Sequence, residues 1–381
     1  MKRSAARGLR RAMSLSTKAV SVRPQRSSKR EEEGWLQQLP PGRSCPHYAS
    51  LSLSNFASRP VYPCSSRVLY VAGGVYGNRH AVDEIERMRR SEEEETTVFF
   101  NGDFNFFNVS PDDFEYVNDR VVNVEGNVPL AGNIEREISD FTSASNNDDD
   151  DDDHIVDCGC SYPNYVCDTF VSRTNEIVRR LRATCRSSSS RVAGALRELD
   201  TSARVRMERV DGEPLHVAVI HGDFESLSGW SLSAESMHPV NASLRSSLGV
   251  PSSAVTTSAE DVRRMFEVGK VDVIACSHTC LAYGQTIRGR GGGAIGAVFN
   301  NGSAGIGNFK GDHRGTITRI GWREDDIPDE IRGKVLYETF HKEVRGGVAG
   351  RRVLFGFFFL LLQNNEVRCF LSLTRSSPFP F

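Results

Sequence analysis

Side chains able to do chemistry gather in five short stretches: GGVYGN (73–78), NGDFNFFN (101–108), GNIE (132–135), IHGD (220–223) and SHTC (277–280). They hold carboxylates at Asp103 and Asp223, imidazoles at His221 and His278, a thiol at Cys280 and the amide of Asn105. Asn105 and Asp223 are candidates for handling a proton or supporting another group, although Asp223 could equally orient His221 or end a strand. Cys158, Cys160 and Cys167 form a second cluster. A structural zinc site needs four ligands, and no fourth stands at a finger-like spacing, although His154 is near. Six aspartates, Asp148 to Asp153, could pass for a calcium site, but consecutive like charges repel and read as a solvated loop. RGRGGGA (288–294) matches no phosphate-binding loop and reads as a linker. In FNNGSAGIGNFKG (299–311), Asn301 and Lys310 are candidate substrate contacts, on a loop that could hold phosphate through backbone N–H groups. Asn and Gly are also ordinary turn residues.

The elements between these stretches follow an α/β pattern. Val68 to Val71 is a short β-branched apolar run ending in Gly73-Gly74, which predicts a buried strand. Ala81, Val82, Ile85 and Met88 then fall at helical spacing. Val98 to Phe100 predicts a second buried strand ending at Asn101-Gly102-Asp103. His216 to Ile220 and Val271 to Cys276 predict two more, each with a polar cluster at its carboxyl end. Open α/β sheets bind ligands at those ends, so the candidate chemistry stands where the fold would place it.

The ends of the chain differ in kind. Residues 1–30 contain no Asp or Glu but many Arg, Lys, Ser and Ala, the composition of an organelle transit peptide, with no apolar secretory stretch. Import into a mitochondrion or plastid is expected, with a disordered basic tail of a cytoplasmic protein as the alternative. A Ser/Pro-rich linker follows to residue 66. VLFGFFFLLL (353–362) is shorter than the about 20 apolar residues that span a bilayer, so no transmembrane segment is expected. A core strand or helix segment, or an interfacial anchor, remains open there. The expected division is residues 1–66, a domain over 67–344 and an atypical tail over 345–381. With 47 Lys and Arg against 49 Asp and Glu, the net charge of −2 offers no basic excess to attract nucleic acid. Nine cysteines, an odd number and several inside apolar runs, suit a reducing compartment.

Taken together and in order, the five stretches resemble the motifs of calcineurin-like metallophosphoesterases, over residues 67–323. The stretches GVYGN, GDFNF, GNIE, GCGCSYPNYV, HGDFESLSGW and CSHTC resemble a divergent branch of that superfamily. The resemblance implies a four-layer α/β sandwich, two packed mixed sheets flanked by helices. It also implies a phosphoester substrate and a pair of metal ions bridged by Asp103. The first ion's motif should read Asp-x-His-Gly-Asn, but Gly74 has no ligand atom, and the Tyr76 phenol, with an ordinary pKa of about 10, is a poor ligand at neutral pH. Cys280 stands where the last motif should carry its second histidine. The other ion's ligands are all present: Asp103, Asn133, His221 and His278. That set of one carboxylate, one amide oxygen and two imidazoles suits Mn, Fe or Zn better than calcium.

One divalent transition metal is therefore expected, in a metal-dependent phosphoester hydrolase with Asp103, His221 and Asn105 as its catalytic residues. Ile134 stands where the motif usually supplies a histidine acid. The alternative is a catalytically weak or inactive protein that binds a metal or a phosphoryl ligand on the same fold. A thiol-based function at Cys158, Cys160 or Cys280 would require a reactive thiolate.

Overall fold

The computed structural model describes residues 41–43, 51–139, 157–208, 213–237, 245–246, 249–308, 314–321, 335–342 and 351–360, the last two ranges as backbone. Residues 1–40, Asp148 to Asp153, His154 and Lys310 lie outside the described residues, and so do the expectations attached to them.

Two six-stranded sheets form the centre. One has the order β1-β5-β6-β7-β9-β8 and the other β11-β12-β10-β2-β3-β4. The first sheet contains β1 (Val61–Cys64), β5 (Ser202–Met207), β6 (Leu215–Ile220), β7 (Val273–Cys276), β8 (Tyr283–Arg288) and β9 (Ala294–Asn300). The second contains β2 (Val68–Ala72), β3 (Thr96–Asn101), β4 (Asn127–Leu130), β10 (Gly315–Gly321), β11 (Val335–Lys342) and β12 (Arg351–Leu360). Both mix parallel and antiparallel pairs: β2, β3 and β4 run parallel, as do β6, β7 and β9, while β10 is antiparallel to β2 and β8 to β9.

Side-chain alternation explains the layering, because successive residues of a strand point to opposite faces. Leu69 and Val71 of β2 pack with Val217 and Val219 of β6 between the sheets. Val68, Tyr70 and Ala72 instead face α2 (Arg79–Ser91), α3 (Pro111–Asn123), α5 (Asp168–Ser187) and α6 (Ser190–Arg197). On the opposite side, Ala218 and Ile220 pack under α1 (Leu53–Ser58) and α7 (Ala259–Gly269). The result is helix, sheet, sheet, helix, the four-layer architecture expected. β2 and β7, buried on both faces, are apolar throughout, as expected of central parallel strands, which is why they read as runs rather than alternations.

Three expectations change. The linker reaching residue 66 contains α1 and β1: Leu53 and Phe56 are buried beside Phe224, and β1 pairs in parallel with β5 at the sheet edge, where Pro63 is tolerated. The boundary at 344 falls between two paired strands, since β11 pairs antiparallel with β12 and β12 with β10. The apolar run at 353–360 is therefore part of a strand, its backbone donors and acceptors met by β10 and β11. RGRGGGA spans the end of β8, the turn and the first residue of β9. Among the described residues no helix is long and apolar enough to cross a membrane.

Candidate metal centre

The two sheets deliver their carboxyl ends to one place. Asp103 follows β3, Asn133 opens α4 (Asn133–Ser139) just after β4, His221 follows β6 and His278 follows β7. Asn101, the last residue of β3, ties the sheets together there: its amide donates to the Ile220 carbonyl (2.7 Å) and to Ser277 Oγ (2.8 Å). Close backbone approach is needed as well. A Cβ on Gly102 would lie 2.5 Å from both His221 Nδ1 and the Gly132 Cα, and Gly102 has φ +81°. One on Gly132 would lie 2.4 Å from Asp103 Oδ1.

Four ligand-type side chains converge. His221 Nε2 is 3.3 Å from Asp103 Oδ2, 3.1 Å from Asn133 Oδ1 and 3.3 Å from His278 Nδ1. The ligand atoms of Asp103, His221 and His278 all lie within 4.8 Å of one another. All four residues are buried. The far side of each ring fixes its tautomer: His221 Nδ1 faces the Asn101 carbonyl at 2.7 Å and His278 Nε2 faces the Cys160 carbonyl at 3.0 Å. A carbonyl only accepts, so those nitrogens carry the protons, and in neutral rings the inward nitrogens present lone pairs. The Asn133 amide nitrogen donates to the Cys158 carbonyl at 3.0 Å, which turns its oxygen inward. With both rings neutral, four acceptors thus face one another, an arrangement that a metal cation or a shared proton would relieve. Ligand atoms held tetrahedrally at 2.0–2.1 Å from an ion stand about 3.3 Å apart, close to the spacing around His221. Backbone carbonyls anchoring the outer ring nitrogens are the usual support of histidine ligands.

Electrostatics follow the same geometry. Burial pushes the Asp103 carboxyl up, but the adjacent His221 and the charge of His278 outweigh it and hold the carboxyl below its usual range. Burial pulls His221 down, while Asp103 raises it to a net increase, so without a cation a proton shared at His221 is the natural substitute. His278 is pushed down to about 4 by burial and by His221.

Glu135 is the residue the sequence reading passed over. It has no exposed surface, and its carboxylate accepts from the backbone N–H groups of Asp103 (2.7 Å), Gly132 (3.0 Å) and Asn105 (3.1 Å). It clamps the Asp103 turn, where Asp103 itself has φ +56°, to the start of α4. Burial, then the charge of Asp103, raises its carboxyl to about 7 despite those donors. Its position in GNIE, in the first turn of a buried helix, was the available clue.

Other expectations are corrected. Asn105 is fully buried, paired amide to amide with Asn118 (2.8 and 3.2 Å), so it supports the Glu135 clamp from behind and is not placed to reach a substrate. Asn301, also fully buried, donates to Ser277 Oγ (3.1 Å) and accepts from Thr318 Oγ1 (2.6 Å). It braces the turn before His278. Asp223 binds the N–H groups of Glu225, Ser226 and Ser231 in its own loop; the Asn101 carbonyl orients His221 instead. Ile134 buries its side chain in the helix-side core and gives the site only its N–H, 3.2 Å from Asp103 Oδ1.

Tyr76 and Gly74, which stand where the resemblance would put ligands of the other ion, pack on each other: a Cβ on Gly74 would lie 2.6 Å from Cε1 and Cζ of the Tyr76 ring, so the ring leaves room at position 74 only for glycine. The Tyr76 hydroxyl bonds the Cys280 thiol, and burial drives the phenol well above its usual range and the thiol to about 12. Burial likewise raises Cys160 well above its usual value. Burial thus disfavours the thiolate form at both Cys160 and Cys280. Cys167 is exposed while Cys158 and Cys160 are buried, and among the described residues only Asp103, His221 and His278 form a metal-type cluster.

No family model matches the chain, and no curated protein matches it. Among solved structures, the chain is similar to a metallophosphoesterase from Sphaerobacter thermophilus (13% identity, 78% of this chain and 89% of that one, TM-score 0.40). It is also similar to a hypothetical protein from Pyrococcus horikoshii OT3 (10%, 67% and 83%, 0.38). A third is a protein serine/threonine phosphatase from Saccharomyces cerevisiae (12%, 82% and 88%, 0.37).

Proposed function

We propose that this chain is a metal-dependent phosphoester hydrolase with a single-ion site, held by Asp103, Asn133, His221 and His278. The observation that carries this reading is the convergence of four inward-facing acceptors whose outer atoms are all pinned by backbone. Bound there, a Mn, Fe or Zn ion would supply Lewis acidity toward a phosphoryl oxygen and lower the pKa of water to about 7. The protein's own contribution is to hold that set rigid: Glu135 fixes the Asp103 turn, and the Asn101 and Cys160 carbonyls fix the rings. Asp103, His278 and Tyr76 keep a trace of exposure and mark the mouth through which a phosphoester would enter.

No side chain next to Asn133 can protonate a leaving group, because Ile134 points into the core. General acid help is worth about 10²–10⁴-fold, so esters with good leaving groups are the expected substrates. The same observation favours the second reading, a protein that binds a metal and a phosphoryl ligand without turning it over. Metal content of the chain purified without chelator, measured beside hydrolysis of nitrophenyl mono- and diesters with added Mn, separates them. Bound metal with turnover abolished by Asp103→Ala supports the hydrolase, bound metal without turnover supports the binder, and absence of metal removes both. Import into a mitochondrion or plastid is a further proposal, resting on the acid-free composition of residues 1–30.

A further inference from the structure

Beside the candidate metal centre lies an aromatic cluster that runs from the core, where Phe106 packs, out to the surface at Phe107. The Tyr76 ring meets Phe106 and Phe107 edge-on, at centroid distances of 5.5 and 5.7 Å, and those two rings are 4.2 Å apart. Tyr76 is joined to the site at both ends. Its N–H donates to the Asp103 carbonyl at 3.2 Å, and its hydroxyl bonds Cys280, two residues beyond His278. Going outward, the cluster opens to water: Tyr76 is buried, Phe106 half-buried and Phe107 45% exposed.

Phe107 is held there at a cost. Its φ is +65°, a left-handed conformation that a bulky residue rarely adopts. Such strain persists only where the surroundings impose it, and it concentrates at ligand clamps. A phenylalanine that gains little burial from a strained backbone is better explained by what its ring face meets from outside. Aromatic rings prefer offset or edge contact with other flat rings, and stacking on exposed aromatics is how proteins hold such groups without hydrogen-bond readout.

We propose that Tyr76, Phe106 and Phe107 form a specificity wall for the ester group of the substrate, selecting phosphoesters whose group nearest phosphorus carries a flat aromatic ring, such as an aryl or nucleobase-bearing ester. The wall rests on the metal-site reading above, because it needs a phosphoryl group anchored between Asp103 and His278. For aryl esters it also fits the lack of a side-chain acid, since an aryl oxygen leaves without one.

The test uses non-hydrolysable ligands with one head and three tails: methyl-, cyclohexyl- and phenylphosphonate, titrated calorimetrically into the Mn-loaded full-length chain. Phenylphosphonate is expected to bind about tenfold more tightly than the methyl compound, the equivalent of one ring contact, and more tightly than the cyclohexyl one. Phe107→Gly removes the ring and accepts the positive φ, so the fold is kept; it should abolish the phenyl preference and leave methylphosphonate binding unchanged. Equal affinity for methyl and phenyl compounds overturns the wall alone, and cyclohexyl binding equal to phenyl overturns selection for flatness. A Phe107→Gly chain that keeps the preference, or loses methylphosphonate binding too, also overturns it. Failure of the chain to load Mn overturns the metal-site reading and the wall together, and failure of the Mn-loaded chain to bind any phosphonate overturns the phosphoester reading and the wall.

Discussion

Gly74 and Tyr76 provide a sharp test of how closely the tyrosine ring packs on the backbone at position 74. In Gly74→Ala the new Cβ would lie 2.6 Å from two ring carbons of Tyr76 and 3.1 Å from a third, with no other atom nearer. The ring has no room to retreat: Phe106 and Phe107 meet it edge-on and its hydroxyl is bonded to Cys280. Overpacking of this kind costs about 1–3 kcal/mol. In a Tyr76→Ala background the obstructing atoms are gone, and Gly74 has no positive φ to forbid a side chain. There the same substitution should stabilise by about 0.4–1 kcal/mol, because alanine narrows the unfolded ensemble. The effect of one methyl group thus reverses sign, with a coupling of about 1.5–4 kcal/mol between the two sites. Denaturant unfolding of the four chains, compared by midpoint at constant slope, reads it directly. If Gly74→Ala is harmless in the native background, or equally harmful in both, Tyr76 does not occupy the volume vacated at position 74 and the argument fails.

Four further outcomes follow from the same geometry. Gly74→Asp combined with Tyr76→His should raise metal content from roughly one ion per chain toward two, by restoring ligands for a paired site; unchanged metal content would count against Tyr76 as the element excluding the second ion. Glu135→Gln should lower metal affinity about 10–100-fold, the usual cost of losing outer support, because an amide presents one acceptor where the carboxylate serves three backbone donors; competition with a chelating dye measures it. Asn101→Leu should destabilise by about 1–3 kcal/mol, since the Ile220 carbonyl loses its side-chain donor, while Ser277 Oγ keeps Asn301 and the backbone carbonyl holding His221 remains. Away from the site, Glu92→Ala should cost about 3–5 kcal/mol in thermal or denaturant unfolding, because it breaks the buried two-pronged pair that its carboxylate makes with the Arg319 guanidinium at 2.8 and 2.9 Å.

Much of the sheet framework was legible because strands buried on both faces advertise themselves as apolar runs. β2, β3, β6 and β7 all appear that way, with polar residues at their carboxyl ends. α1 and β1 were missed because their length and polarity resemble a linker; only the burial of Leu53 and Phe56 against Phe224 makes them part of the core. For β12 the sequence allows a core strand, a helix segment or an interfacial anchor, since a long apolar run does not state its partner, and pairing with β10 is a property of the sheet. At the site, residue types identified Asp103, Asn133, His221 and His278 as possible neighbours, but Asn105 and Asn301 show the limit of that reasoning. An amide at a loop near a site can face a ligand or brace a turn, and hydrogen-bond partners from distant segments decide which.

The sequence by itself determined the chemistry on offer: a carboxylate, an amide and two imidazoles at strand ends, with a glycine and a tyrosine at positions 74 and 76. Those facts are local, carried by side-chain type and by the period of the adjoining strand. Only the tertiary structure decided that the four groups meet, that their lone pairs point at one another, and that the Tyr76 ring packs on Gly74. The reason is that ring tautomers and amide orientation are fixed by partners far along the chain: the Asn101 carbonyl lies 120 residues from His221, and the Cys160 carbonyl 118 residues from His278.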